Sequence, residues 1–344
     1  MHERGEGAAR TGYRVPMPPA AARLRWPEAF GTRFTVFVDT EEEFDWSAPL
    51  ARTGHSTVAA RALGPAGDWF RARGVPLTFL VDQPIVDDPR AVAMLARLVA
   101  AGAAVGAQLH AWVTPPFAEA LDPATSFAGN LPRTLEAAKL DHLTVAITRA
   151  FGQPPLAFRA GRYGIGPDTA ALLAARGYRL DSSMRARYDY AREGGPDFRR
   201  VGSDAFWLAP DRTLVELPFT TVFTGRARRG GATLHDALGR VPFARGAAAR
   251  LGLLSRVALT PEDMPVKEAL EAVRVAVGEG VRVLNMSFHS PSLEPGHTPY
   301  VRDAADLKAF FHWWEAVLAL LARLDVRAAS LDELLAAVDE ARGL

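Results

Sequence analysis

The sequence predicts an α/β fold built on a parallel sheet, and two observations carry this prediction. Short runs rich in β-branched or aromatic residues alternate with longer Ala- and Leu-rich stretches at helical spacing. Glycines stand where five predicted helices must end and the chain must turn toward the next strand. These glycines are Gly74, Gly102, Gly152, Gly177 and Gly280. Strands that alternate with crossover helices in this way pair in parallel.

Seven segments are predicted as strands because they are short, apolar and bounded by turn residues. They cover residues 33–38, 76–81, 104–109, 156–160, 178–182, 281–288 and 326–330. Seven helices are predicted between or after them from their 3.6-residue periodicity. These helices cover residues 58–73, 89–101, 131–151, 167–176, 266–279, 304–324 and 331–340.

The chain of 344 residues is predicted to form one domain over residues 31–344, preceded by a loosely held arm over residues 1–30. Prolines break any helix in the arm. Trp26 and Phe30 are expected to hold the end of the arm against the domain.

The strand and helix alternation is lost between residues 185 and 265, so we predict an irregular insertion there. This insertion contains a β-hairpin that turns at Pro210 and Asp211. Its later part, residues 226–256, carries seven arginines and a single acid, Asp236. A solvated face is the simplest explanation of these arginines, and a basic interaction surface or a mobile lid is the alternative.

The composition excludes several classes of protein. Forty basic and 39 acidic side chains leave a formal charge of +1, which argues against a global electrostatic grip on nucleic acid. Cysteine is absent, so any metal must be bound by histidines and carboxylates. The N-terminus has no signal-peptide core, and no apolar run is long enough for a transmembrane segment. We therefore expect a cytoplasmic protein.

Polar side chains occupy the ends of five of the seven predicted strands. They are Asp39, Glu41 and Glu42 at the first strand, Gln108 and His110 at the third, Arg159 in the fourth, Asp181 in the fifth and His289 at the sixth. The C-terminal ends of parallel strands in a barrel form its broad concave face, where such residues meet. Clustered carboxylates repel one another unless a cation compensates them, so these residues indicate a divalent metal and acid–base chemistry.

Simpler explanations exist for single members of this set. Glu42, Glu43 and Asp45 could each solvate a loop, and His110 could be a satisfied core histidine. Asp39 is harder to explain in this way because it ends a buried strand. His289 directly follows the strongest predicted strand, in a loop stiffened by proline.

Four motifs, in their order and spacing, resemble the polysaccharide deacetylase (NodB-homology) family. They are "FVDTEEEFDW", "GAQLHAWVTPPF", "FRAGRYGIG" and "SFHSPSLEPGHTPYV". The resemblance covers the chain from Trp26 to the C-terminus and is closest to a bacterial subgroup called WalW-like, which is associated with lipopolysaccharide biosynthesis. It implies a distorted (β/α)7 barrel. It also implies an enzyme that removes an acetyl group from an N-acetylated sugar in a polysaccharide, lipopolysaccharide or precursor, using a divalent metal that is usually Zn²⁺.

The resemblance assigns a role to each candidate residue. Asp39 is similar to the general base, or to a metal ligand, and Arg159 to the arginine that contacts the base. His289 corresponds to the general acid, and Asp181 to a residue that supports the base or the arginine. The metal would be held by residues taken from Glu41, Glu42, His110 and Gln108.

Gln108 departs from the family pattern, in which the second motif supplies two histidines. A neutral amide oxygen is a weaker zinc ligand than imidazole. A catalytically impaired barrel that binds a glycan or serves as a scaffold is therefore the alternative to an enzyme. An amidase for a non-sugar amide is a third possibility, because the barrel rim supports that chemistry equally well.

Aromatic residues lie in the same loops as the candidate catalytic residues. Trp46, Trp112, Tyr163 and Tyr300 are interpreted as substrate-binding, because an aromatic face with a polar edge suits a sugar ring. Packing of the loops explains them equally well. The expected partner is thus a carbohydrate or glycolipid and not a nucleic acid.

Overall fold

The computed structural model describes residues 12–343, and within them eleven strands are present. The strands are β1 (Arg33–Thr40), β2 (Leu77–Val81), β3 (Ala104–Leu109), β4 (Ala157–Ala160), β5 (Leu180–Asp181), β6 (Phe206–Trp207), β7 (Val215–Glu216), β8 (Thr221–Thr224), β9 (Ser255–Ala258), β10 (Val283–His289) and β11 (Arg327–Ala328). All seven predicted strands are present. β6 and β7 form the predicted hairpin, whereas β8 and β9 are additional, because four residues are too short to give a clear pattern.

The same residues form ten α-helices. They are α1 (Leu63–Arg71), α2 (Gln83–Asp87), α3 (Pro89–Ala100), α4 (Arg133–Phe151), α5 (Thr169–Ala174), α6 (Gly231–Leu238), α7 (Ala244–Arg250), α8 (Val266–Gly278), α9 (Ala304–Arg323) and α10 (Leu331–Arg342). The seven predicted helices are confirmed, the first of them beginning as a 3-10 turn. The five glycines predicted to end helices have positive φ angles, which only glycine adopts without strain.

The main sheet has the order β10-β1-β2-β3-β4-β5-β7-β6, with β11 also paired to β1. All neighbours are parallel except β6 and β7. The sheet curls until the chain after β7 meets β10. There Thr220 donates its backbone N–H to the carbonyl of Asn285 at 3.1 Å, and Asn285 donates its own N–H to Thr220 Oγ1 at 2.8 Å. The predicted distorted (β/α)7 barrel is therefore confirmed.

The segment predicted as an insertion, residues 185–265, contains two different parts. The hairpin turning at Pro210 and Asp211 is present as β6 and β7, and β7 pairs with β5 as a member of the main sheet. The remainder forms the separate antiparallel pair of β8 and β9, connected through α6 and α7. The barrel thus takes one of its strands from the segment predicted to be irregular.

The described part of the N-terminal arm, residues 12–30, packs against the barrel. Val15 and Leu24 are buried and donate backbone N–H groups to the carbonyls of Asp197 and Ala205. Trp26 stacks on Phe30 with ring centroids 5.3 Å apart. Residues 1–11 lie outside the described residues.

Strand alternation separates two apolar layers. Val36 and Val38 of β1 pack toward the surrounding helices, whereas Phe37 faces the barrel interior together with Leu80 and Leu180. α10 joins this interior layer, with buried side chains that include Leu334, Leu335 and Val338. No helix among residues 12–343 has the length and apolar character to span a bilayer.

Candidate active site

Strand register brings the candidate residues to one edge of the sheet. Asp39 lies two residues beyond Phe37 and so faces the same interior. It stands opposite His289 in the pairing of β1 with β10, and Gln108 stands opposite Arg159 in the pairing of β3 with β4. These four side chains line a pocket of about 580 Å³, together with Glu41 and His110 among others. The C-terminal strand ends therefore meet as predicted from the sequence.

Arg159 and Asp39 form a buried ion pair at the centre of this pocket. Arg159 is 1% exposed, and its Nη1 donates to Asp39 Oδ1 at 2.5 Å and to Ser287 Oγ at 2.5 Å. Its Nε and Nη2 donate to the carbonyl and hydroxyl of Ser182, both at 2.9 Å. The guanidinium is fixed from several directions, so it holds the carboxylate of Asp39 in one orientation.

His289 is held by a glutamate that the sequence did not indicate. Its Nδ1 lies 2.7 Å from Glu262 Oε2, and its backbone N–H donates to Oε1 of the same residue at 3.0 Å. Its Nε2 lies 3.9 Å from Asp39 Oδ2. Burial lowers the pKa of His289, but the charges of Glu262, Glu41 and Asp39 outweigh it and raise the pKa to about 10. The imidazole is therefore protonated at neutral pH.

His110 has a carboxylate at each ring nitrogen. Nδ1 lies 2.7 Å from Glu42 Oε2, and Nε2 lies 3.4 Å from Glu41 Oε2. Burial lowers the pKa of His110, but the charges of Glu42 and Glu41 raise it well above its usual range. The ring also stacks on Trp112, with centroids 4.2 Å apart, and Trp112 donates its indole N–H to Glu42 at 2.9 Å.

Two overlapping sets of residues here could bind a divalent metal. Glu42, Asp82 and His110 are all buried and bring one ligand atom each within 4.8 Å of the others. Glu41 and Gln108 instead face the pocket with His110. Glu41 Oε1 and Gln108 Oε1 are buried without a hydrogen-bond partner among residues 12–343, although Gln108 donates its amide to Glu41 Oε2 at 3.0 Å. Such unpaired oxygens suit a cation.

Aromatic rings enclose the pocket around His289. The ring of Trp46 meets His289 edge-on with centroids 5.4 Å apart, and it meets Tyr300 in the same way at 5.6 Å. Tyr300 in turn stacks at 6.3 Å on His289. Tyr163 lines the pocket as well and stacks on Tyr190. All four aromatic residues predicted for the substrate thus lie at the pocket, including Trp112.

Asp181 is buried and does not line the pocket, because it lies on the opposite face of β5 from Leu180, which faces the barrel interior. Its Oδ1 accepts hydrogen bonds from the backbone N–H and the hydroxyl of Ser183. Burial raises its pKa to about 6, and burial together with the charge of Asp181 raises the pKa of Glu216 well above its usual range. Asp181 has no hydrogen bond or ion pair to Asp39 or Arg159 among the described contacts.

Sequence reasoning missed Asp82 and Glu262. Asp82 directly follows β2, so the rule that found the other strand-end residues also finds it when applied to the second strand. It begins α2 by accepting the N–H of Ile85 at 3.0 Å, and it accepts the N–H of Glu42 at 2.9 Å. Glu262 follows β9, a strand that was not predicted, so the sequence offered no comparable signal for it.

Comparisons with solved structures identify the fold. A protein from Mycobacterium smegmatis described as a "putative polysaccharide deacetylase" matches with a TM-score of 0.50 at 19% identity, covering 94% of this chain and 96% of that chain. A 4-alpha-glucanotransferase from Thermococcus litoralis matches with a TM-score of 0.51 at 10% identity, covering 89% of this chain and 40% of that chain.

A probable polysaccharide deacetylase from Pseudomonas aeruginosa PAO1 matches with a TM-score of 0.48 at 16% identity, covering 94% and 95% of the two chains. No family model matches the sequence, and no curated protein matches it. The likenesses to the M. smegmatis and T. litoralis structures show a shared fold, and at 19% and 10% identity they show no more. The matched structures from M. smegmatis and T. litoralis carry names for different reactions, so the chemistry of this chain must be inferred from its own site.

Proposed function

We propose that this protein is a metal-dependent hydrolase that removes the acetyl group from an N-acetylated sugar. One observation carries the proposal. A carboxylate held by a buried arginine, Asp39, faces His289 across 3.9 Å in a single pocket. Such a pair can take a proton from water and deliver one to a leaving amine. The fold shared with a described polysaccharide deacetylase supports the same reaction.

The residues at the pocket fit a divalent metal, with Zn²⁺ as the first candidate. Glu41, His110 and Gln108 would hold it, since they face the pocket and two of their oxygens are unpaired. Glu42 would bind Nδ1 of His110 from behind and leave Nε2 for the metal, which is how carboxylates support histidine ligands. When bound, the metal would polarise the acetyl carbonyl and lower the pKa of a water molecule.

The chain's own residues would move the protons. Asp39 would accept a proton from the water as its oxygen attacks the acetyl carbon, while Arg159 keeps the carboxylate oriented. His289 would then donate the Nε2 proton to the sugar nitrogen as the C–N bond breaks, giving acetate and a free amine. Glu262 would steady the imidazole throughout, because it binds both Nδ1 and the backbone N–H of His289.

The aromatic wall suits a sugar. Trp46 and Tyr300 both contact His289 and pack against each other, so a sugar ring lying against this aromatic wall would present its acetamido group to the acid and the base. The resemblance to the WalW-like subgroup makes lipopolysaccharide or one of its precursors the polymer of first choice.

A second candidate is a barrel that binds a glycan without cleaving it. Gln108 favours this candidate because it stands where the family pattern has a histidine. The partnering of both ring nitrogens of His110 by carboxylates favours it too, since a protonated imidazole satisfies those acids without a metal.

Metal analysis followed by an acetate assay separates the two candidates. The purified protein would be stripped with a chelator, reloaded with zinc, cobalt or iron, and tested on N-acetylated oligosaccharides. The hydrolase should bind about one metal per chain and release acetate in proportion to the metal restored. Sugar binding without bound metal or acetate release would favour the glycan-binding barrel.

A further inference from the structure

Three arginines line the pocket, and one of them has no acidic partner. Arg159 is paired with Asp39, and Arg162 donates to Glu193 at 2.5 Å. Arg185 lines the same pocket, yet it makes no ion pair with any residue from 12 to 343. The charge of Arg185 acts on the nearby Asp263 without forming an ion pair with it, and a guanidinium left unpaired at a pocket attracts an anion.

Aromatic rings surround Arg185 in place of carboxylates. Its guanidinium carbon lies 3.9 Å from the ring centroid of Tyr188, 5.4 Å from that of Phe219 and 5.7 Å from that of Tyr163. Arg256 also contacts Tyr188, at 3.6 Å. These rings attract the positive charge and position the side chain, but they do not neutralise it. The guanidinium is therefore held in place while its charge remains available to a ligand.

Two polar atoms at this wall are buried and unpaired. Arg185 Nε and the hydroxyl of Tyr190 make no hydrogen bond of normal geometry within the described chain, although the two side chains interact with each other. Burial lowers the pKa of Arg185, but the nearby tyrosine hydroxyls, that of Tyr190 first, raise it further than burial lowers it. Both residues line the pocket. Buried donors without acceptors are costly to the free protein, and an oxygen-bearing ligand would relieve that cost.

We infer that Arg185 and Tyr190 form a subsite for an anionic group, a carboxylate or a phosphate, carried by the sugar whose acetamido group lies at Asp39 and His289. The inference rests on the proposed function and narrows its substrate to acidic N-acetylated sugars. The carboxylates across the pocket would not repel such an anion strongly, because the charge of Asp39 is paired with Arg159 and Glu41 lies beside His110. A carboxylate and a phosphate each present two oxygens on one atom, and a guanidinium can bind both oxygens through parallel hydrogen bonds.

Calorimetric binding of three sugars tests the subsite and separates the two anions. N-acetylglucosamine is neutral, N-acetylmuramic acid adds a carboxylate, and N-acetylglucosamine 1-phosphate adds a phosphate. We expect at least one acidic sugar to bind about tenfold tighter than the neutral sugar at low salt, since hydrogen bonds to charged groups are worth this much or more. Equal affinity for all three sugars, or no binding of any of them, would overturn the inference.

Substitutions locate the effect. Arg185→Gln should remove the preference for the acidic sugar while leaving affinity for the neutral sugar unchanged, and Arg185→Lys should retain part of the preference. Arg162→Gln is the matched control, because Arg162 lines the same pocket but is already paired with Glu193. Uniform weakening of all sugars by Arg185→Gln, or loss of preference in Arg162→Gln alone, would contradict the assignment. Because binding is measured without turnover, an inactive protein that still prefers acidic sugars would refute only the proposed hydrolysis.

Discussion

The pocket contains two histidines that are each bound at Nδ1 by a glutamate at 2.7 Å, and they differ at the other ring nitrogen. Nε2 of His110 lies 3.4 Å from Glu41, and this side chain is 4% exposed. Nε2 of His289 lies 3.9 Å from Asp39, and this side chain is 22% exposed. One imidazole is enclosed by carboxylates, while the other presents a nitrogen to the pocket.

The comparison shows that the role of a histidine–glutamate pair depends on whether the imidazole is accessible from the pocket. An enclosed imidazole between two carboxylates can compensate charge or bind a metal, but it cannot reach a substrate. An imidazole with one nitrogen free and a partner at the other can transfer a proton repeatedly. Mutating a histidine or the glutamate that binds it, one pair at a time, is therefore the most direct way to test the proposed roles.

The largest effect is expected at His289. His289→Gln removes the proton donor but keeps a side chain of similar length, so kcat should fall about 10³-fold, within the range of general acid catalysis. Bound metal and sugar affinity should stay unchanged, as measured by elemental analysis and calorimetry. His297→Gln is the control, because His297 also pairs with a glutamate, Glu43, at 2.9 Å but does not line the pocket. Equal losses in both variants would assign His289 a structural role.

Glu42→Gln tests the pair formed by Glu42 and the enclosed His110. This change weakens the hold on His110 Nδ1, so zinc affinity should fall about 10- to 100-fold, as when other carboxylates behind histidine ligands are removed. Competition with a chelating dye measures the affinity. Gln108→His supplies a second imidazole and should change the affinity in the opposite direction. If neither variant alters zinc binding, the metal lies elsewhere or is absent.

Glu262→Gln tests the pair formed by Glu262 and the more exposed His289. Its charge raises the pKa of His289, so its removal should lower that pKa from about 10 and bring the alkaline loss of activity to lower pH. The alkaline limb moves to lower pH because His289 must be protonated to act as an acid. The rate at neutral pH should fall about tenfold as the ring loses its orientation. Glu279→Gln, at an exposed position after α8, should leave the pH–rate profile of kcat unchanged.

The smallest effect is expected at a carboxyl pair that has no histidine. Asp181 and Glu216 are buried together with raised pKa values, so their contribution to stability is greatest below about pH 4 and declines as the pH rises, the part due to Asp181 being lost through about pH 6. Glu216→Gln should therefore raise the free energy of unfolding by about 1 kcal/mol or more at pH 8 and change it little at pH 4.5. Denaturant unfolding at the two pH values measures this difference. Destabilisation at pH 8 would show that the Glu216 charge is compensated.

The sequence predicted the parallel α/β sheet because long strands and helices leave periodic patterns, as in β1 and β10, which are eight and seven residues long, and the family resemblance implied the barrel. It also brought Asp39, His110 and His289 to one pocket, since strand ends can be located from those patterns. It did not predict β8 or β9, whose four residues each carry too little pattern. Glu262 was missed for the same reason.

The environment of Asp39 shows a second limit of prediction from the sequence alone. A carboxylate in an active site is commonly replaced by an amide at little cost, so sequence reasoning predicts that Asp39→Asn abolishes activity and leaves the melting temperature nearly unchanged or raised. The structure changes this expectation, because Asp39 is the acid paired with the buried Arg159. Removing one member of such a pair leaves a buried charge uncompensated. Loss of stability in this variant is therefore compatible with a catalytic Asp39.

Asp39 and His289 occupy matched positions on neighbouring strands, so the backbone lattice of the sheet determines how far apart the two groups stand. Loops that grow, shrink or change composition during evolution leave this spacing intact. Trp46, Arg185 and Tyr300 lie outside the strands. A lineage of such proteins could therefore exchange one sugar for another by loop variation alone, while the hydrolytic pair is inherited without alteration.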